Sequence, residues 1–285
     1  MKPGVVSRCF LLLAALAVGA PNSAPAAPPA GQGMLYPFDP REKVAKPDLR
    51  AIPRLRFLTT VDFPPFNFID QSGKLSGFHV DLAREICAAL DMMERCQIEA
   101  APYAELVTRL DKGEGEVAVA GARITPDLRD SHEFSRVYLR LPARFAARRA
   151  DAGPQRAPAD LGDRPVGVLK GSAHEAMAKA FFPTLSLVGF ADRPTMLAAL
   201  RKGEVKAVFG DALQLSFWLD SKDADNCCDF LGGPYYSSHF LGEGMAAMTA
   251  PANPVVAQAL DHALIAIARN GRLADLYLRY FPKGL

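Results

Sequence analysis

Two periods of apolar spacing alternate along this chain, one of strands and one of helices. Leu55 to Thr59 reads as a strand, and Val80 to Met93 as a helix with Leu82, Ile86, Leu90 and Met93 on one side. Glu105 to Leu110 is helical and Val117 to Ala120 is a short buried strand. Thr125-Pro126 then supplies an N-cap residue followed by proline at the first helical position. Farther on come strand Pro165 to Leu169, helix Ala173 to Phe181, strand Ser186 to Phe190, helix Thr195 to Leu200 and strand Lys206 to Phe209. Helices Val255 to Asn270 and Leu273 to Tyr280 close the pattern. Such alternation predicts an α/β protein with mostly parallel sheets.

The pattern repeats itself once. LVTRLDKGEGEVAVAG (106–121) and MLAALRKGEVKAVFG (196–210) each run from an apolar helix through Lys-Gly-Glu into a strand ending on glycine. Two lobes of similar build follow, each sending a strand tip toward a shared place. Ligands of open α/β sheets bind beyond the carboxyl ends of the strands.

Ahead of residue 54 the pattern is absent. Lys2 and Arg8 precede an apolar run from Phe10 to Ala20 that is too short to span a bilayer, and Ala24-Pro25-Ala26 offers a cleavage site. Residues 1–26 therefore read as a secretory signal peptide. The Pro/Ala-rich stretch 27–53 reads as a linker or loosely held arm, with the folded part starting near Arg54.

Charge and cysteine content narrow the function classes. The full chain has 33 basic and 31 acidic residues; loss of Lys2 and Arg8 with the signal peptide leaves the two signs equal. Nothing in this balance favours nucleic acid or an anionic membrane as partner. The basic run Arg144 to Arg149 (RFAARR) reads as a solvated face. Cys87, Cys96, Cys227 and Cys228 remain after cleavage, and an even count in an exported chain reads as disulfides. A Cys87–Cys96 bridge would clip the end of one helix to the next segment. For Cys227 and Cys228 a vicinal disulfide, two free thiols and a metal-ligand pair all stay open, with no zinc-like spacing nearby.

The predicted strand tips carry the candidate chemistry. Thr60, Asp62, Phe63, Pro64, Pro65 and Phe66 follow the first; Gly121, Arg123, Thr125 and Arg129 follow the second; Ser172, His174 and Glu175 the third; Asp211 the fourth. Arginine can pair an acid group and aspartate an amine, while the aromatics enclose a small polar solute. Each also has a purely structural use. Ser172 with Glu175 forms a capping box, Asp211 can cap the helix that follows, and the phenylalanines can pack a turn. None of the five histidines stands in a hydrolase or metalloprotease motif, and no glycine loop cradles phosphate.

Phe63-Pro-Pro-Phe66, Gly77-Phe-His-Val-Asp-Leu-Ala83, the Lys112 to Pro126 segment, Val168-Leu-Lys-Gly-Ser172, Gly210-Asp211 and Asn270-Gly-Arg-Leu with Tyr280-Phe-Pro stand in one order and spacing. In these the sequence resembles the family-3 extracellular solute-binding proteins, over residues 54–285. The resemblance implies a type II, two-lobed fold with a two-strand hinge, residues 54–142 with 240–285 forming one lobe and 143–239 the other. It also places a disulfide at Cys87 and Cys96. It assigns amine binding to Asp211, a capping role beside the ligand to Ser172 and ligand stacking to Phe63. The family's carboxylate-gripping arginine falls on Leu128, one residue before Arg129. Its early aspartate falls on Thr60, its small hydroxyl residue before Ile-Thr on Arg123, and the aspartate of its Gly-Phe-Asp motif on His79.

The function expected is capture of a small polar solute, an amino acid or related molecule, by a monomeric periplasmic protein. It would use Asp62, Phe63, Phe66, Gly121, Arg123, Thr125, Arg129, Ser172 and Asp211, and deliver the solute to an ABC permease, with no cofactor, no metal and no bond chemistry. A sensory or accessory binding module is the alternative, and a dehydratase on the same fold a more distant one, for which Asp62 and His174 are the only acid–base candidates.

Overall fold

The computed structural model describes residues 1, 37–39, 41–121, 124–250, 254–282 and 284–285. Residues 2–26 of the segment expected to be a signal peptide, with its expected cleavage site, lie outside the described residues, as does Arg123.

The first part of the chain runs β1 (Leu55–Thr59), β2 (Asp62–Phe63), β3 (Asn67–Ile69), β4 (Leu75–Ser76), α1 (Phe78–Ala89), β5 (Cys96–Ala100), α2 (Leu106–Asp111), β6 (Val117–Ala118), α3 (Pro126–Ser131) and β7 (Glu133–Phe134). The second runs β8 (Ala143–Arg148), β9 (Val166–Leu169), α4 (Ala173–Phe181), β10 (Leu187–Phe190), α5 (Arg193–Lys202), β11 (Ala207–Asp211), α6 (Ala212–Asp220) and β12 (Cys228–Tyr235). The last comprises α7 (Ser238–Leu241), β13 (Met248–Thr249), α8 (Pro254–Arg269) and α9 (Arg272–Tyr280). Among the described residues these strands form two five-stranded sheets, ordered β5-β1-β6-β13-β7 and β10-β9-β11-β8-β12, and a small β2-β3-β4 sheet.

The two echoed segments become α2–β6 and α5–β11. Each strand lies parallel beside a neighbour in its sheet, β6 against β1 and β11 against β9. The sheets are less parallel than the pattern predicts. β13 runs antiparallel to β6 and β7, and β8 runs antiparallel to β11 and β12. These are the strands through which the chain leaves one sheet and returns to it. The crossing is two-stranded: Leu139 forms an antiparallel bridge with Met245, with Tyr138 N donating to Met245 O and Met245 N to Leu139 O. The protein is thus a two-lobed α/β fold with a two-strand hinge.

Burial explains where the predicted elements hold and where they fail. The helix α1 buries Leu82 and Ile86 against α8 and α9, and Leu90 follows. Met93, expected on the same side, is 55% exposed. The chain turns through a left-handed Asp91, so Met92 takes the buried place. The Arg144–Arg149 run is not a solvated face but mostly strand β8. Phe145 and Ala147 pack into one apolar cluster and Ala146 into another, so both faces of the strand are covered. Arg144 holds its guanidinium 3.8 Å from the centre of the Phe230 ring and donates to Gly232 O at 2.9 Å.

The packed chain extends upstream of Arg54. Leu49 and Ile52 are buried beside Leu55, Leu90, Met92 and Leu260. The His262 Nδ1 donates to Val44 O, Lys46 pairs with Asp91 and Glu42 with Arg136. Disulfides join Cys87 to Cys96 and Cys227 to Cys228. The second pairing settles the open question about these neighbours in favour of a vicinal disulfide.

Candidate functional site

At the tip of β1 the chain packs three rings in a column. Phe63 stacks on Phe66 at 4.8 Å, and Phe66 on His79 at 5.0 Å. Two glycines permit this. A Cβ at Gly77, where φ is +125°, would lie 2.2 Å from Phe66 O; one at Gly121, φ +69°, would lie 2.9 Å from the Phe63 ring. Phe63 is half-buried at the outer end of the column. Phe66, expected to touch the solute, is fully buried and also contacts Phe78 and Phe281, so in this conformation it supports Phe63 from within the core.

Asp62 is exposed and lines a cavity of about 260 Å³ with Thr60, Val61, Ala101, Pro102 and Tyr103. Gly121 lies in a different one. With Ile124 it borders a cleft of about 520 Å³ whose other walls are Arg140 of the outgoing hinge segment and Tyr236, Ser238, His239 and Glu243 of the returning one. Thr125 caps α3 by accepting from Leu128 N at 3.3 Å. Arg129 is not free to grip a carboxylate here, because its guanidinium is paired with Glu243. Leu128, at the place the resemblance gives to an arginine, packs onto the apolar cluster around Leu106 and Leu110.

The second sheet contributes its own tip. Ser172 caps α4: its Oγ accepts from Glu175 N at 3.1 Å and donates to Leu169 O at 2.7 Å. Glu175 in turn accepts from Gly171 N at 2.6 Å, so an acid of the protein itself occupies one loop N–H at this helix start. Asp211 ends β11 and caps α6, with Oδ1 accepting from Gln214 N at 2.9 Å. It lines a cavity of about 140 Å³ together with His174, Arg193, Phe209 and Gln214. Burial holds the His174 imidazole below its usual range; Asp211 opposes that shift and Arg193 reinforces it. A cation, an anion and a neutral imidazole thus face one small space.

Asp62, Gly121 and Asp211 therefore line three different cavities, two at strand tips and one at the hinge. Sequence reasoning passed over two sets of residues. Arg193 escapes the pattern because its apolar spacing starts α5 two residues late, at Thr195, although Asp192 carries the capping signal and accepts from Thr195 N. The hinge wall Tyr236 to Glu243 escaped as well. Its one legible mark is Ser237, whose hydroxyl accepts from Phe240 N to cap α7.

A buried polar chain stands behind the β1 tip. Asn67 Nδ2 donates to Thr60 Oγ1 at 2.5 Å, Asn67 Oδ1 lies 2.6 Å from His79 Nδ1, and His79 Nε2 lies 2.9 Å from the Tyr138 hydroxyl. All four residues are at most 3% exposed. Burial lowers the His79 pKa to about 3 and raises that of Tyr138, so both are neutral at physiological pH.

Comparison with known proteins fits this architecture. The family described as bacterial extracellular solute-binding proteins, family 3, matches residues 55–283. The putative ABC transporter arginine-binding protein 2 of Escherichia coli K12 is 26% identical over 229 residues, spanning 80% of this chain and 91% of that protein. Substrate-binding domain 2 of GlnP from Lactococcus lactis, in an open conformation, superposes with a TM-score of 0.67 at 16% identity, over 83% of this chain and 98% of that one. An ancestral cyclohexadienyl dehydratase gives a TM-score of 0.67 at 18% identity, over 84% of this chain and 98% of its own. Among the described residues no helix is long and apolar enough to cross a membrane. The two lobes, the hinge and the match over residues 55–283 assign this chain to the bacterial extracellular solute-binding proteins of family 3.

Proposed function

We propose that this protein captures a small polar solute of the amino-acid type between its two lobes in the periplasm and passes it to an ABC permease. The observation that carries the reading is Asp211, a strand-end carboxylate in a cavity it shares with His174 and Arg193. Such a set suits a solute bearing both an amine and an acid group. Asp62, Phe63, Gly121, Arg123, Thr125 and Ser172 complete the binding set from the two strand-tip regions. Arg193 joins it as a cation with no partner among the described residues. The segment 1–26 directs export and is then removed, and the mature protein works as a monomer. The mechanism is a solute-driven shift toward a closed arrangement of the lobes, without bond chemistry.

Titration calorimetry on Asp211→Ala and Arg123→Ala tests the assignment. Loss of a charge-assisted hydrogen bond weakens binding by ~1.5–3 kcal/mol. Affinities within about twofold of wild type in both variants contradict it.

A further inference from the structure

We propose that Thr60 presents a hydrogen-bond donor to the solute, so that the solute atom it meets at the β1 tip is a carbonyl or hydroxyl oxygen and not an ammonium nitrogen. This deepens the binding reading above and rests on it for the presence of a solute.

Counting hydrogens along the buried chain fixes the polarity of Thr60. Asn67 has one acceptor and one donor end. With Nδ2 given to Thr60 Oγ1, its Oδ1 must accept, and the hydrogen between it and His79 belongs to Nδ1. A neutral imidazole carries a single N–H, so Nε2 accepts and the Tyr138 hydroxyl donates. Each link from Tyr138 to Thr60 then pairs one donor with one acceptor, and the second N–H of the Asn67 amide is left over equally in either orientation of the chain. The hydroxyl hydrogen left over is that of Thr60, which has no acceptor among the described residues.

The reverse orientation is disfavoured by where its unused hydrogen would lie. With the Asn67 amide turned over, Thr60 would donate into the chain and the unused hydrogen would be that of Tyr138, a side chain only 1% exposed. An unpaired hydroxyl there is costly, whereas Thr60 stands at the wall of the 260 Å³ cavity and can meet an incoming group. A solute oxygen satisfies the leftover hydrogen, while an ammonium, which has only donors, does not. Asp62 on the same wall makes a neutral oxygen the better partner than a carboxylate. His79, Asn67 and Tyr138 act here as positioning residues, since they touch Thr60 or one another and fix its polarity.

Two measurements decide the matter on the mature protein. Long-range proton–nitrogen NMR of His79 between pH 5 and 8 is expected to show hydrogen on Nδ1 and a bare Nε2. Hydrogen on Nε2 reverses the chain and overturns the proposal, whatever the protein binds. Thr60→Val and Thr60→Ser are then compared by calorimetry with L-glutamine and L-lysine as probes. The wild type and the serine variant are expected to favour glutamine, and the valine variant to lose about tenfold in glutamine affinity. An unchanged glutamine affinity in Thr60→Val, or a loss of lysine affinity in that variant as large as the loss for glutamine, overturns the donor assignment. Binding of neither probe contradicts the amino-acid reading and leaves the polarity of the chain to the histidine tautomer.

Discussion

The Tyr138 hydroxyl lies 2.9 Å from His79 Nε2, and with this contact the hinge strand is hydrogen-bonded to the helix behind the β1 tip. Tyr138 sits one residue before the Leu139–Met245 hinge bridge, while His79 underlies the Phe66–Phe63 column. Tyr138→Phe leaves the buried His79 Nε2 without a donor. The expected cost is about 1–3 kcal/mol in urea unfolding at pH 7. A variant as stable as wild type would show that this contact contributes nothing to the fold.

Buried neutral His79 also makes stability depend on pH. Its folded pKa is depressed to about 3 from the ordinary 6.5, so below 6.5 the unfolded chain binds a proton that the folded chain refuses. The contribution is fully present above pH 6.5 and is lost progressively as pH falls toward 3. At pH 4.5 it amounts to about 2–3 kcal/mol of lost stability relative to pH 7. His79→Gln should flatten this part of the pH–stability curve; a curve superimposable on wild type would contradict the assignment.

Arg144 pairs a flat cation with the Phe230 ring and with Gly232 O across the β8–β12 ladder. Lysine can supply the charge but neither the planar stack nor the forked donors. Arg144→Lys is expected to lower the stability of the protein by about 1–2 kcal/mol, read as a lower urea midpoint at constant slope.

The Cys87–Cys96 bridge closes a loop of sequence separation 9. In the chain-entropy treatment, removing it by Cys87→Ser with Cys96→Ser costs about 2.5–3 kcal/mol. The thermal midpoint in a reducing and an oxidising buffer gives the check: the double variant should be indifferent to the reductant at this bridge, and the wild type should not.

Local signals were the legible part of this fold. Ser172 announced α4, and Thr125 with Pro126 announced α3, because capping chemistry is written within four residues. Strand β8 was hidden because arginines stand at its ends, where side chains can leave the core although the strand between them is covered on both faces. Strand β12 was hidden by Gly232-Gly233-Pro234, which reads as a turn and is an irregularity inside the ladder. The site divides in the same way. Asp62 and Asp211 reach cavities from positions fixed by their own strands. Arg129 meets Glu243 from 114 residues away, and His79 meets Tyr138 from 59, pairings that no local pattern records.

The central claim, that the lobes enclose an amino-acid-type solute held by Asp211, is tested most directly by a thermal-shift screen of the mature protein against amino acids, amines, organic acids and small peptides, repeated on Asp211→Ala. A true solute at 100 times its dissociation constant adds about 2.7 kcal/mol. In a domain of this size that raises the midpoint by roughly 5–10 °C. Such a shift is expected for at least one amino-acid-type compound, together with its loss in Asp211→Ala. No shift with any compound, or an equal shift in the variant, would contradict it.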